Sequence, residues 1–183
     1  RHAPVIKRLL DAGAVIVGRT NMTEFAYSGL GLNPHYGTPR NPWDRTTARI
    51  SGGSSSGAAV SVSDGMAAAG IGSDTGGSVR IPAALCGLTG FKPTAKRVPL
   101  AGVLPLSHSL DSIGAIAPSV ACCALLDSVM AGAATDMPTA AALAGLRLLV
   151  PTSVVLNDMD ATVEAAFEAA LAKLTAGGAR IDR

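Results

Sequence analysis

The sequence predicts an α/β fold, and two observations carry the prediction. Segments with a helical apolar stripe alternate with short apolar runs bounded by glycine and proline. Charged residues make up only 15% of the 183 residues and hydrophobic ones 48%, against about 25% charged in an ordinary globular chain. Little of this chain is built to face water, as in a piece of a large domain whose sheet is covered by helices.

Taken in order, residues Ala3 to Ala12 form an amphipathic helix and Ala14 to Gly18 a β-strand. A long polar, turn-rich region runs from there to Gly53. Gly57 to Ser63 reads as a helix and Met66 to Gly72 as a strand, and a short helix starts at Pro82, a residue suited to a first helical turn. Ser119 to Ala131 is a helix and Leu146 to Val150 a strand. Ala161 to Leu174 is an amphipathic helix with Val163, Phe167, Leu171 and Leu174 inward, ended by Gly177-Gly178 before a final strand. This length predicts a single domain, residues 1–183.

Composition excludes several function classes. The net charge of +2, with no basic run interleaved with aromatics, argues against nucleic acid as a direct ligand. No uncharged apolar run reaches about 18 residues without proline or glycine, so no membrane span is expected; residues 112–126 come closest and contain Pro118. The three cysteines, Cys86, Cys122 and Cys123, lack metal-ligand spacing. The adjacent pair reads as small buried helix residues in a reducing compartment, with the cytoplasm as the expected location.

Chemistry concentrates between Gly52 and Pro82, where two serine-glycine clusters flank a helix-like and a strand-like segment that can fold back and bring both loops together. Gly76 and Gly77 have no side chains to hold a substrate carbonyl away from their amides. Those N–H groups suit an oxyanion hole, in which one donor is worth about 3 kcal/mol. Ser78 follows directly and is placed to attack. A serine needs a base to take its proton, so a second serine and a further base are expected to complete a relay. Gly53-Ser54-Ser55-Ser56-Gly57 also matches the G-x-S-x-G nucleophile elbow around Ser55, but that motif follows a strand, and residues 41–49 are turn-rich. Glycine-serine runs by themselves are most often flexible loops. The second cluster, with Asp74, Arg80 and Pro82, has a composition that a solvated linker does not require.

These residues resemble a known family. Gly52-Gly53-Ser54-Ser55-Ser56-Gly57, followed 24 positions after Ser54 by Ser78 within Asp74-Thr75-Gly76-Gly77-Ser78-Val79-Arg80, is similar to the amidase signature family of serine hydrolases. Residues 18–25, 37–42, 86–94 and 109–111 extend the resemblance along nearly the whole chain. It implies an α/β/α sandwich around a mixed central sheet, and amide hydrolysis by a Ser–Ser–Lys triad without a metal or cofactor. Ser78 is then the nucleophile and Ser54 the bridging serine, reached through a cis peptide and within hydrogen-bond reach of Ser78. Backbone amides of Thr75, Gly76, Gly77 and Ser78 form the oxyanion hole, and Ser55, Asp74 and Arg80 support them. Asp74 and Arg80 are expected to pair beneath the loop and hold its amides inward.

One departure stands out: the family's lysine lies further upstream of Ser54 than the residues present reach. Lys7 sits on the predicted first helix, and Lys92 and Lys96 match no catalytic position. The chain is therefore expected to be an internal fragment, truncated at both ends of its domain and inactive alone. The expected substrate is a small amide, with Tyr27 and Ser28 near its pocket and a homo-oligomer as one option for assembly. Ile81 stands where the A-type chains of amidotransferases tend to carry glutamine, which favours a stand-alone amidase over an amidotransferase component that works with partners. A Ser–His–Asp enzyme using His108 and Asp111, a phosphate-binding glycine loop and a catalytically inactive homologue are the competing readings. The phosphate reading lacks both glycine-loop motifs, since Thr75 stands where the third glycine after Gly70 and Gly72 would be.

Overall fold

A computed structural model describes residues 2–135 and 137–183. It contains two compact units, Arg1–Met137 and Pro138–Arg183.

The larger unit is organised around one short strand. β3 (Ser112–Ala117) is buried along its whole length and lies between β1 (Gly70–Asp74) and β2 (Thr89–Phe91), both antiparallel to it. Its side chains alternate between two cores, as the period of a strand dictates. Ile113, Ala115 and Ala117 pack with Val5 and Leu9 of α1 (Pro4–Asp11) and with Cys123 and Met130 of α4 (Val120–Ala131). Ile116 faces the other way, into Ala58 and Ala59 of α2 (Ser56–Ser63) and Ala83 of α3 (Arg80–Leu85). Helices thus cover both faces of the sheet. Full burial of a side chain such as Ile116 is worth about 1.5–3 kcal/mol, and the alanines beside it let the helices come close.

Local signals explain the helix boundaries. Pro4 sits in the first turn of α1, and Lys7 and Asp11 pair at 2.7 Å on its exposed face. Ser119 caps α4 by accepting the Cys122 N–H at 3.2 Å, and Gly132 closes it in the left-handed conformation. Cys123 is buried as expected, but Cys122 is exposed.

In the smaller unit, β4 (Arg147–Leu149) and β5 (Arg180–Asp182) form a parallel pair beside α5 (Ala161–Ala176). Leu171 is buried and Phe167 and Leu174 are half-buried, but Val163 is 57% exposed, so the expected inward stripe lacks its first member. Asp160 caps α5 by accepting the Thr162 N–H at 2.8 Å, and Val163 lies in that first turn.

Two expectations about strands change. Residues 14–18 do not form a strand, and Val15 and Val17 are 82% and 73% exposed. A strand exists only through a ladder with a neighbour, and no described segment pairs with this one. Conversely, β2 and β3 were not expected, because neither stands out by length or alternation.

Candidate active site

The two serine clusters meet. The N–H of Ser55 donates to the carbonyl oxygen of Ser78 at 3.2 Å, joining the 52–57 loop to the 75–78 loop. The first loop is far from a free linker. Gly53 N–H donates to Gly29 O at 2.8 Å, Thr23 N–H to Ser54 O at 3.0 Å and Gly57 N–H to Asn21 O at 2.9 Å. A Cβ at Gly53 would come within 2.7 Å of the Gly31 backbone nitrogen and of Thr23 Oγ1. Glycine is needed at position 53 for this close backbone approach.

The Gly53–Ser54 peptide is cis, as the resemblance implies. Ser54 is fully buried and its hydroxyl has no hydrogen-bond partner among the described residues. The expected bond between the Ser54 and Ser78 hydroxyls is therefore not formed; the loops are joined through backbone atoms instead. Ser78 itself is half-buried at the turn leading into α3. Ser55 is 8% exposed and stands at the residue just before α2 with no strand ahead of it, so the context of a nucleophile elbow is not met.

Asp74 ends β1 and is fully buried. Its Oδ2 accepts the N–H groups of Val79 at 3.1 Å and Arg80 at 3.3 Å, and Arg80 grips both carboxylate oxygens through Nε at 3.1 Å and Nη2 at 3.0 Å. Burial alone would raise the Asp74 pKa. The Arg80 hydrogen bond, the Val79 amide and the charge of Arg80 outweigh it and hold the carboxyl below its usual range. The pair expected beneath the loop is present, with its acidic member wholly inside the protein.

Between Asp74 and Val79 the chain leaves four amides, those of Thr75, Gly76, Gly77 and Ser78, with no acceptor among the described residues. The Asp74 carboxylate engages the two amides that follow. A loop of free N–H groups between fixed ends has the form of an anion cradle for a developing oxyanion. Gly77 has φ +142°, a conformation that side chains rarely adopt, and a Cβ there would meet Ile81 Cδ1 at 2.7 Å; Gly76 has nothing within 4 Å of an added Cβ. Gly77→Ala is expected to lower stability by about 1–3 kcal/mol, with Gly76→Ala near wild type. Thermal melts of the two variants compare them directly, and equal melting temperatures would contradict the assignment.

Two supporting residues were not foreseen in their roles. Lys92 Nζ donates to the carbonyl oxygens of Asp74 and, at 3.0 Å, Leu110, and lies 3.5 Å from Asp74 Oδ1. Asp111, 7% exposed, accepts the Thr75 hydroxyl and the N–H groups of Leu106 at 2.8 Å and Ser107 at 3.0 Å. No local spacing links residues so far apart in the chain. His108 is exposed and has no hydrogen bond to Asp111 or to a serine among the described residues, so a Ser–His–Asp triad is not assembled. Tyr27 is 83% exposed, and the Ser28 hydroxyl accepts the Leu30 N–H at 3.1 Å. Burial, with a contribution from Asp64, pushes the Cys86 thiol up to about 11, which leaves it a poor nucleophile. Among the described residues no cluster of three or more His, Cys, Asp or Glu could hold a metal ion, and no helix is long and apolar enough to cross a membrane.

Comparison with known proteins covers the whole chain. A family model described as Amidase matches residues 1–183. The chain is 42% identical over 182 residues to a 2-amino-5-chloromuconic acid deaminase of Comamonas testosteroni, covering 98% of this chain and 39% of that protein. A crystal structure described as an amidase superposes with a TM-score of 0.89 at 38% identity, covering 98% of this chain and 40% of that one. The A component of the glutamyl-tRNA(Gln) amidotransferase of Thermotoga maritima superposes with a TM-score of 0.89 at 37% identity, covering 100% of this chain and 43% of that one. The chain thus spans about two fifths of the length of the curated relatives it matches.

Proposed function

The chain belongs to the amidase family, and on that premise we propose that its parent protein cleaves the C–N bond of a carboxylic amide through an acyl intermediate on Ser78. The observation that carries this reading is the loop of four unengaged amides, held by Asp74 and tied through Ser78 O to the loop bearing a buried, unpartnered Ser54 hydroxyl.

Ser78 Oγ attacks the amide carbon, and the carbonyl oxygen becomes an oxyanion facing the amides of residues 75–78. Ser54 relays the Ser78 proton to a base and returns a proton to the leaving nitrogen, so that ammonia or an amine departs and an ester remains on Ser78. Water then releases the carboxylic acid and restores the serine. Lysine is the base in this scheme, supplied from outside these residues. Lys7 is 69% exposed and paired with Asp11, and Lys92 is engaged with Asp74 and Leu110. Lys96 is exposed, and Lys173 lies on α5 in the smaller unit. A buried hydroxyl without a partner supports a missing acceptor.

The match of one family model across both compact units supports a single amidase domain of which residues 1–183 are part. Three free cysteines support a reducing, cytoplasmic setting. An amidotransferase A-type role, acting with partners, is the second reading, favoured by the likeness to the Thermotoga protein. Ile81 in place of glutamine favours the stand-alone enzyme. A panel of short aliphatic, aromatic and ureido amides, assayed for ammonia release with the full-length protein, tests the proposal. Turnover is expected with the full-length protein and none with residues 1–183 alone; full turnover by residues 1–183 would refute the external base.

A further inference from the structure

We propose that Asp111 is a positioning residue for the oxyanion loop, acting through the hydroxyl of Thr75 to fix the loop end that Asp74 does not reach. This rests on the reading of Ser78 as the nucleophile of an amide hydrolase.

A loop whose amides stabilise charge has to be held still without those amides being used to hold it. At its C-terminal end Asp74 meets this need by accepting from Val79 and Arg80, the two amides just past the cradle. At its N-terminal end Thr75 uses its side chain: Thr75 Oγ1 donates to Asp111 Oδ1, and the Thr75 N–H stays free. Asp111 is well suited as an anchor. Its second oxygen takes the N–H groups of Leu106 and Ser107, and its own N–H donates to Ser107 O at 3.0 Å, so the carboxylate is fixed to a closed turn. It directly precedes β3, whose first residue, Ser112, pairs with Asp74. Lys92 ties the Asp74 and Leu110 carbonyl oxygens together across the same end of the sheet. The two carboxylates therefore lie at one end of the paired strands, Asp74 as the last residue of β1 and Asp111 just before β3, one for each end of the loop. Burial would raise the Asp111 pKa, but the Thr75 hydroxyl, the two amides and His108 lower it overall, so the carboxylate stays ionised and accepts only.

The competing reading is that Asp111 closes the 106–111 turn and nothing more. In that case Thr75 could lose its hydroxyl without kinetic effect. The test uses the full-length protein, with the fastest amide of the panel as substrate and a fluorophosphonate to count functional sites, so that kcat is expressed per labelled serine. Thr75→Val keeps the side-chain shape and removes the donor; kcat is expected to fall about tenfold to a hundredfold, with KM within about twofold. Thr75→Ser restores the donor and should return kcat to within about threefold of wild type. Asp111→Asn should lower kcat as well, and combining it with Thr75→Val should add little, because both act on one interaction.

Thr75→Val with kcat unchanged would overturn the proposal, as would Thr75→Ser being as impaired as Thr75→Val. Should Thr75→Val fail to fold, Asp111→Asn decides: a lowered melting temperature with unchanged kcat per site leaves a structural carboxylate only. Ser78→Ala is run beside them. If it still turns over amide, the hydrolase reading itself fails; if it is inactive while Thr75→Val is unimpaired, only the role of Asp111 falls.

Discussion

Ser78→Ala in the full-length protein is expected to abolish amide hydrolysis, a loss on the order of 10⁴-fold or more, and to prevent labelling by a fluorophosphonate. The expectation follows from placement. Ser78 is the half-buried hydroxyl at the end of the free-amide loop, so its oxygen and the proposed oxyanion donors belong to one short segment. In the proposed mechanism its removal takes away the attacking atom and leaves only binding and charge stabilisation. Mass spectrometry of the labelled protein checks the assignment, since a label on Ser55, or labelling that survives in Ser78→Ala, would reject it. Ser55 is an informative control because it sits at 8% exposure at the start of α2, where a bulky phosphonate has little access.

Ser54→Ala is expected to lower the rate by about 10²–10⁴-fold, the usual worth of positioned proton transfer, while Ser78 remains present and slowly labelled. Stability is expected to change little. The Ser54 hydroxyl is buried with no partner among the described residues, so its removal strands no donor or acceptor within this chain. A large loss of rate with a preserved melting temperature separates a relay from a packing role. An unchanged rate would remove Ser54 from the mechanism.

Much of this site was legible in the sequence because its parts are local. Glycine identity reports on backbone geometry, and Gly53 and Gly77 stand where a side chain would collide with Gly31 or Ile81. Asp74 and Arg80 are six residues apart across one turn, so their pairing follows once the loop between them folds back. The helices were legible for the same reason, since caps such as Ser119 and Asp160 act within a few residues. The α/β class followed from alternation, although the boundaries of β1 moved from 66–72 to 70–74.

What the sequence by itself determined is the set of groups that the proposed chemistry requires: two serines 24 positions apart, bare backbone beside the second, and an acid and a base flanking it. What only the tertiary structure decided is which distant groups hold them. Thr75 finds Asp111 across 36 residues because β1 and β3 pair with Asp74 opposite Ser112, and Lys92 reaches two carbonyls at the same edge through that pairing. Register of this kind depends on the summed burial of both faces of β3, with Ile113 and Ile116 sent into separate cores. The same dependence explains residues 14–18, whose composition suits a strand but whose backbone becomes one only against a partner. Local patterns encode the preference of each segment; contacts between segments decide whether that preference is realised, because the free energy of a ladder or a buried carboxylate belongs to both partners at once.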